Sequence, residues 1–177
     1  MSKESLIASL RTVPDYPKKG ILFWDVTTLF KNPAAFKEVE DILYEEYKDK
    51  GITKVAGVES RGFVMGAALA SRLGAGFVLI RKPGKLPAET VSLEYELEYG
   101  HDKIEIHTDA ITPDDVVLVH DDLLATGGTA SAAVKLVKMF NPRQVYASFI
   151  IYLYEFGSIR KFPADVPVTS VLKLGGK

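Results

Sequence analysis

Two adjacent aspartates lead directly into a glycine-containing turn at residues 121–129, Asp-Asp-Leu-Leu-Ala-Thr-Gly-Gly-Thr. Glycine lets the backbone approach a ligand closely, and free N–H groups at the start of a helix suit a phosphate. The aspartates supply acceptors for sugar hydroxyls, or outer ligands for a magnesium ion. The residues that this pattern predicts to contact a phosphorylated sugar are Asp121, Asp122, Ala125, Thr126, Gly127, Gly128 and Thr129.

The order of these residues distinguishes the segment from other phosphate-binding motifs. A dinucleotide-binding motif reads G-x-G-x-x-G and places its ribose-binding carboxylate about 20 residues later, and a Walker A loop ends in Gly-Lys-Ser/Thr. Here the two carboxylates come immediately before the turn, which fits a ribose joined to its own 5′-phosphate. The alternative is a plain strand–turn–helix junction in which Gly serves the turn and Asp and Thr cap the helix.

Cations follow two other predicted strands. Arg61 lies in Glu-Ser-Arg-Gly, directly after the strand predicted at 52–58, and Arg81, Lys82 and Lys85 follow the strand predicted at 76–80. Guanidinium and ammonium groups at such positions neutralise a diphosphate and help it to leave. The alternatives are a capped turn with a surface arginine and a solvated basic loop.

A glutamate and a tyrosine stand in the segment Leu-Glu-Tyr-Gly at residues 97–100. A desolvated glutamic acid with a raised pKa can handle a proton on a purine ring, so Glu98 is a candidate general acid or base. On the residues alone, Glu94, Glu96 and Glu98 equally fit the polar face of a strand. Residues from Pro83 to about 95 show no clear period and predict a flexible lid.

Alternating helices and short apolar strands surround these segments. Helices are predicted at the N-terminus (Leu6, Leu10 and Val13 on one face), from the cap Asn32 to Gly51, at 62–73 and at 129–140. Strands that are apolar throughout are predicted at 52–58, 76–80, 116–120 and 144–154. Such strands are buried on both faces of a mostly parallel sheet, whose carboxyl ends bind ligands. The prediction is one α/β domain, with an N-terminal hood at about 1–35 and a core at about 36–177.

Composition excludes several classes of protein. The 177 residues include 22 Lys plus Arg against 23 Asp plus Glu, so there is no basic excess for nucleic acid or an anionic membrane. There is no cysteine, which excludes disulfides and thiolate sites and favours a cytoplasmic location. No apolar run is long enough for a membrane span or a signal peptide.

Taken together, the motifs resemble the type I phosphoribosyltransferases. The segment VVLVHDDLLATGGTA resembles their phosphoribosyl-diphosphate (PRPP) motif, and further segments agree in order: GILFWDVTTLF, GVESRGF, RKPGKLPAET and LEYG. The form DDLLATGGT is most similar to the branch of the family whose acceptor is adenine. The resemblance implies the family fold, with a mostly parallel central sheet, flanking helices and a small hood. It also implies transfer of 5-phosphoribosyl from PRPP to adenine, which gives AMP and pyrophosphate in purine salvage.

The resemblance also implies roles for individual residues. Adenine would be bound by the backbone groups of Leu22 and sandwiched by Phe23 and Leu123, and Glu98, next to Tyr99, would manage the proton at N7. The turn at 59–62 would bind pyrophosphate and often contains a non-proline cis peptide. A Mg²⁺ ion would be held mainly by substrate oxygens and water. A homodimer is implied, in which Arg81 serves the neighbouring site.

Two positions depart from the family pattern and bear on base selectivity. Trp24 stands where the family usually has a charged residue, commonly arginine, and His120 stands where it usually has an aliphatic one. We interpret His120 as a buried, hydrogen-bonded residue rather than a catalytic one. Two other functions stay open. One is transfer to a 6-oxopurine, although the lysine expected near the oxo group is missing. The other is a PRPP-sensing regulator, which normally carries an added DNA-binding domain.

Overall fold

The computed structural model describes residues 1–97 and 99–176. Its helices are α1 (Lys3–Ala8), α2 (Thr27–Phe30), α3 (Pro33–Tyr47), α4 (Arg61–Leu73) and α5 (Gly128–Lys138). Its strands are β1 (Arg11–Pro14), β2 (Leu22–Asp25), β3 (Lys54–Val58), β4 (Gly76–Ile80), β5 (Thr90–Glu96), β6 (His101–His107), β7 (Val116–Leu124), β8 (Gln144–Leu153) and β9 (Val168–Leu174). Two single-turn helices, Tyr154–Phe156 and Ser158–Lys161, follow β8.

Within the described residues, a five-stranded parallel sheet forms the centre of the fold, in the order β4-β3-β7-β8-β9. Four of its strands carry the apolar runs that the sequence showed, whereas β9 was not predicted. A buried cluster packs on each face of the sheet. On one side α5 covers β7 and β8, and on the other α3 and α4 pack together against the sheet. Because all five strands are parallel, their carboxyl ends share one edge, where Arg61, Lys82 and the segment 121–129 lie.

Most predicted core elements are confirmed. The strand at 76–80 has the predicted bounds, and α4 ends at Leu73, just before Gly74, whose φ is +68°. Helix α3 begins as predicted, because the side chain of Asn32 accepts hydrogen bonds from the N–H groups of Ala34 and Ala35. It ends at Tyr47, however, so Gly51 lies beyond the helix end rather than at its C′ position.

The bounds of other elements also differ from the prediction. The first helix ends at Ala8, and Val13 lies in β1, which pairs antiparallel with β2 to form the hairpin of the hood. Strand β7 continues past His120 to Leu124, so both aspartates belong to the strand rather than to the turn. Helix α5 ends at Lys138 instead of residue 140.

The predicted lid at 83–95 is only partly irregular. From Thr90 onward the chain is strand β5, which pairs with β6 along seven residues in a two-stranded antiparallel sheet. Every second side chain of β5 (Val91, Leu93 and Tyr95) packs against the core cluster beside α5. The alternation of small, polar and apolar residues in 90–96 is the signal of this half-buried strand.

The described helices include none that is long and apolar enough to cross a membrane.

Candidate active site

A cavity of about 260 Å³ opens at the carboxyl ends of the central strands. Its walls come from the segments after β3 and β4 and from the junction between β7 and α5. The lining residues are Glu59, Arg61, Lys82, Asp121, Asp122, Leu123, Leu124, Ala125, Thr126, Gly127, Gly128, Thr129 and Ala130. The structure thus brings together the acidic pair, the glycine turn and two of the four predicted cations.

The two aspartates at the end of β7 have different surroundings. Asp122 is buried, and its Oδ2 lies 2.6 Å from Nε of Arg61, whose side chain is half exposed. The partly exposed Asp121 accepts a hydrogen bond of 2.8 Å from the N–H of Asp122. Desolvation of its carboxyl group, together with the adjacent charge of Asp122, raises the pKa of Asp121 well above its usual value. The two adjacent carboxyl groups offer hydrogen-bonding partners for ribose hydroxyls.

The turn after β7 has the geometry that the sequence predicts for a phosphate site. Gly127 has φ +81° and precedes α5, whose N-terminus receives no capping side chain from the described residues. The N–H groups at this end are therefore free to bind an anion, which the positive end of the helix dipole also favours. The Thr129 hydroxyl is 3.0 Å from the Tyr95 hydroxyl, so β5 helps to fix the turn.

Two residues that the sequence did not single out support the turn from behind. Ser158 is fully buried, and its Cβ lies 2.8 Å from where a Cβ on Gly127 would stand. Lys161 donates from Nζ to the carbonyl of Thr126. Both belong to the single-turn helix Ser158–Lys161, more than thirty residues after the glycine turn in sequence. No local pattern marks them, because only the parallel packing of β7 and β8 brings them here.

The segment between β3 and α4 forms the opposite wall. The peptide bond between Glu59 and Ser60 is cis, as the resemblance implies. Glu59 accepts hydrogen bonds from the backbone N–H of Lys82, at 2.6 Å, and from a guanidinium nitrogen of Arg81, at 3.2 Å. Although burial alone would raise it, these donors lower the pKa of Glu59. A charged Glu59 therefore ties the two cation-bearing segments together.

The four cations predicted to hold a diphosphate occupy unequal positions. Arg61 and Lys82 line the cavity, and Lys82 also pairs with Asp102 of β6. Arg81 faces Glu59, and its buried Nε has no hydrogen-bond partner among the described residues. Lys85 lies in the exposed loop and is not part of the cavity wall. The structure thus places two of the four cations in the cavity wall, and diphosphate binding by all four stays a prediction.

The hood carries a second cavity, of about 270 Å³, that shares Arg61 with the first. The Phe23 ring packs edge-on against Tyr16, with centroids 5.0 Å apart, and the Arg61 guanidinium lies 5.6 Å from its centroid. Leu123 is half-buried in the wall of the first cavity. The N–H of Leu22 donates a long hydrogen bond, 3.4 Å, to the carbonyl of Gly176. Phe23 and Leu123 thus line two cavities that share Arg61, and the sandwiched base stays a prediction.

The remaining candidates have mixed outcomes. Glu98 lies outside the described residues, so its role stays a prediction. Tyr99 is 82% exposed, with the Lys18 ammonium 5.4 Å from its ring centroid, and does not line the cavity. His120 is fully buried, and its Nδ1 lies 2.9 Å from the Ser148 hydroxyl. His120 is thus buried and hydrogen-bonded, as predicted, and desolvation lowers its pKa to about 4.

Known proteins similar to this chain identify its family. The sequence profile of the phosphoribosyl transferase domain matches residues 25–172, which include all the described walls of the first cavity. The chain belongs to this family. It is 61% identical to the adenine phosphoribosyltransferase of Bacteroides fragilis over 176 residues, which cover 98% of this chain and 99% of that one.

Solved structures of the family agree with the fold. The adenine phosphoribosyltransferase of Rhodothermus marinus superposes with a TM-score of 0.91 at 47% identity, over 97% of each chain. The Giardia lamblia enzyme, in complex with 9-deazaadenine, gives a TM-score of 0.91 at 37% identity, over 98% of each chain. The type I phosphoribosyltransferase fold that the resemblance implied is therefore confirmed.

Proposed function

We propose that this phosphoribosyltransferase transfers the 5-phosphoribosyl group of PRPP to adenine and forms AMP and pyrophosphate. The observation that carries the proposal is the junction of β7 and α5, where paired carboxylates adjoin a glycine turn at an uncapped helix N-terminus. A ribose and its own 5′-phosphate need these two kinds of group side by side. The similarity along nearly the whole chain to enzymes named for adenine supports the choice of acceptor.

In this proposal the sugar phosphate is held at the junction. The N–H groups and hydroxyls of residues 126–129 bind the 5′-phosphate, and Asp121 and Asp122 bind the ribose hydroxyls. The bond from C1′ to the diphosphate oxygen breaks as the bond from C1′ to a ring nitrogen of adenine forms. Positive charge develops on the ribose ring, and the adjacent carboxylate of Asp122 stabilises it.

The leaving diphosphate is neutralised by the opposite wall. Arg61 and Lys82 already line the cavity, and Arg81 and Lys85 complete the positive cluster when the loop 83–89 closes. Arg61 is bound to Asp122, so it exchanges a carboxylate for diphosphate oxygens when substrate enters. This exchange matters because cations that strengthen their contacts as the diphosphate departs lower the barrier rather than merely tightening binding.

The base binds between the hood and the sheet edge. The C=O and N–H of Leu22 read the amidine edge of adenine, and Phe23 and Leu123 cover its faces. For the N–H of Leu22, the ring nitrogen replaces the Gly176 carbonyl as acceptor. Glu98 manages the proton at N7, and closure of the loop excludes water, which would otherwise capture the sugar cation.

The donor set fits a magnesium ion carried by the substrate. The described part of the chain has no cluster of three or more His, Asp or Glu that could hold a metal by itself. The adjacent oxygen donors Asp121 and Asp122 suit a hard cation that keeps several waters. Bound there, Mg²⁺ would neutralise charge on the diphosphate and the ribose oxygens.

A homodimer is part of the proposal. On the edge strand β4 and the neighbouring helix α4, the apolar side chains of Leu79 and Val64 are 39% and 44% exposed. Arg81 directly follows this edge, so a second copy packed here brings it near the partner's site. Sedimentation velocity tests the dimer, which would have twice the 19.5 kDa mass of one chain.

A panel of free bases with PRPP and Mg²⁺ tests the function. We expect AMP from adenine and no product from hypoxanthine, guanine or orotate. Turnover with hypoxanthine or guanine alone would instead assign a 6-oxopurine acceptor. Calorimetric binding of PRPP without product from any base would favour a regulator and would overturn the enzymatic assignment.

A further inference from the structure

Trp24 connects the hood to the C-terminal end of the chain. Its Nε1 donates a hydrogen bond of 2.7 Å to the carbonyl of Gly175, 151 residues away in sequence. The indole is only partly exposed and packs against the buried cluster on the α3 and α4 face of the sheet. Neither the binding of PRPP nor the reading of adenine, as proposed above, uses this side chain.

Further contacts hold the same C-terminal segment. The N–H of Gly176 donates to Oε2 of Glu155 at 3.2 Å, and the carbonyl of Gly176 accepts the long bond from Leu22. Gly176 packs so tightly against Leu153 that a Cβ on Gly176 would lie 2.8 Å from Leu153 Cδ1. We call residues 175–176 the clasp, because they lie between β2 of the hood and the turn after β8.

We propose that Trp24 is a positioning residue for the adenine subsite, acting through the clasp to hold β2 against the end of the central sheet. The inference rests on the proposed function, since it concerns the subsite of that reaction. Strand β2 pairs with β1 and is not part of the parallel sheet. The hood therefore needs a tertiary tether if Leu22 is to stay at a fixed distance from residues 121–129.

The two bonds to the clasp have different strengths and different tasks. The contact from Leu22 is long and is the one that adenine replaces, since a ring nitrogen and a carbonyl are both acceptors. The bond from Trp24 is short and does not involve the atoms that read the base, so it persists in the complex. Trp24 thus keeps β2 in register while Leu22 exchanges its acceptor.

The test uses full-length protein and the variants Trp24→Phe and Glu155→Ala. Trp24→Phe keeps an aromatic ring but removes the donor, and we expect the KM for adenine to rise about fivefold, as for the loss of one hydrogen bond. The KM for PRPP and kcat should stay within twofold. Glu155→Ala loosens the clasp from its other side and should raise the KM for adenine in the same way. The double variant should show less than the product of the two effects.

Trp24 is the only tryptophan in the sequence, so its fluorescence reports on the clasp directly. Glu155→Ala should shift the emission to longer wavelength as the indole becomes hydrated. The matched control Tyr154→Phe, which changes the neighbouring residue without removing a clasp hydrogen bond described above, should leave the emission and both KM values unchanged.

Three results would overturn the inference. These are an unchanged KM for adenine in Trp24→Phe, strictly multiplicative effects in the double variant, or equal rises in the KM for adenine and for PRPP with a lower Tm. Each of them requires wild-type turnover with adenine, so it leaves the proposed function intact. A wild-type protein that makes no AMP would instead refute the proposed function, and the positioning role with it.

Discussion

Arg61 and Asp122 form an ion pair across the carboxyl ends of β3 and β7, with 2.6 Å between Nε and Oδ2. The carboxylate is buried and the guanidinium is half exposed. This arrangement keeps a buried negative charge compensated before substrate arrives, and it holds the arginine at the place where a diphosphate would lie. The pair therefore connects the stability of the site with its chemistry.

Replacement of Arg61 by methionine leaves Asp122 buried without its cation. Because the arginine is half exposed, we expect the free energy of unfolding to fall by only about 1–2 kcal/mol. We expect kcat/KM for PRPP to fall by about 10²-fold, through loss of a charge-assisted contact to the diphosphate. Chemical denaturation and steady-state kinetics measure the two effects. Arg61→Lys, which keeps the charge but not the fork geometry, should recover most of the stability and less of the activity.

His120 predicts a pH dependence of stability with a definite sign. Its pKa is lowered to about 4 by desolvation, against 6.5 for a free histidine, and Asp122 only partly offsets this. Above pH 6.5 the ring is neutral in both states and costs nothing. As the pH falls from 6.5 to 4, the unfolded chain binds a proton that the folded chain does not, so stability falls by about 3 kcal/mol.

The variant His120→Leu isolates this contribution from those of the carboxylates. The difference in free energy of unfolding between variant and wild type should shift in favour of the variant as the pH is lowered from 7 to 4. Denaturation curves at several pH values measure it. A difference that does not vary with pH would contradict the buried neutral histidine.

Much of this fold follows from local sequence signals. The apolar runs of β4 and β7, the Asn32 cap of α3 and the glycine stop of α4 are each set by neighbouring residues, and each was predicted from them. The hood hairpin was missed because β1 and β2 are only four residues each. Strand β1 is mostly exposed and β2 is partly buried throughout, so neither shows a clear alternation. Strand β5 was hidden by the prolines that precede it.

The candidate site likewise contains residues that local sequence predicts and residues that it does not. Asp121, Asp122 and the glycine turn are contiguous in sequence, so one motif predicts them all. Ser158 and Lys161 reach the turn only through the pairing of β7 with β8, and the bond from Trp24 to Gly175 spans nearly the whole chain. No spacing rule relates such residues, because tertiary packing alone brings them together.

Gly127 and Gly128 should differ sharply in their tolerance of a side chain. At Gly127, φ is +81° and a Cβ would stand 2.8 Å from Ser158 Cβ, so Gly127→Ala should destabilise the fold by about 1–3 kcal/mol and weaken PRPP binding. Gly128 is the first residue of α5, and a Cβ there would lie 3.7 Å from the nearest described atom, the carbonyl oxygen of Glu96. Gly128→Ala should therefore be neutral or slightly stabilising in thermal denaturation. Equal losses in both variants would contradict the turn geometry.

Replacement of Lys161 should weaken the binding of PRPP without changing the binding of adenine. Its ammonium fixes the Thr126 carbonyl and adds positive charge beside the turn. We expect Lys161→Met to raise the KM for PRPP about tenfold and to leave the KM for adenine unchanged, since one charge-assisted hydrogen bond is lost. Arg160→Met removes the same charge from the preceding residue and is the matched control, expected to behave like wild type. A comparable effect in the control would show that net charge, rather than the contact, is responsible.

The most direct test of the phosphoribosyl site is a crystal structure of the protein with bound AMP. We expect the 5′-phosphate on the N–H groups of residues 126–129 and the ribose hydroxyls on Asp121 and Asp122, with the base reaching Leu22. A nucleotide bound elsewhere, with the glycine turn left empty, would contradict this prediction.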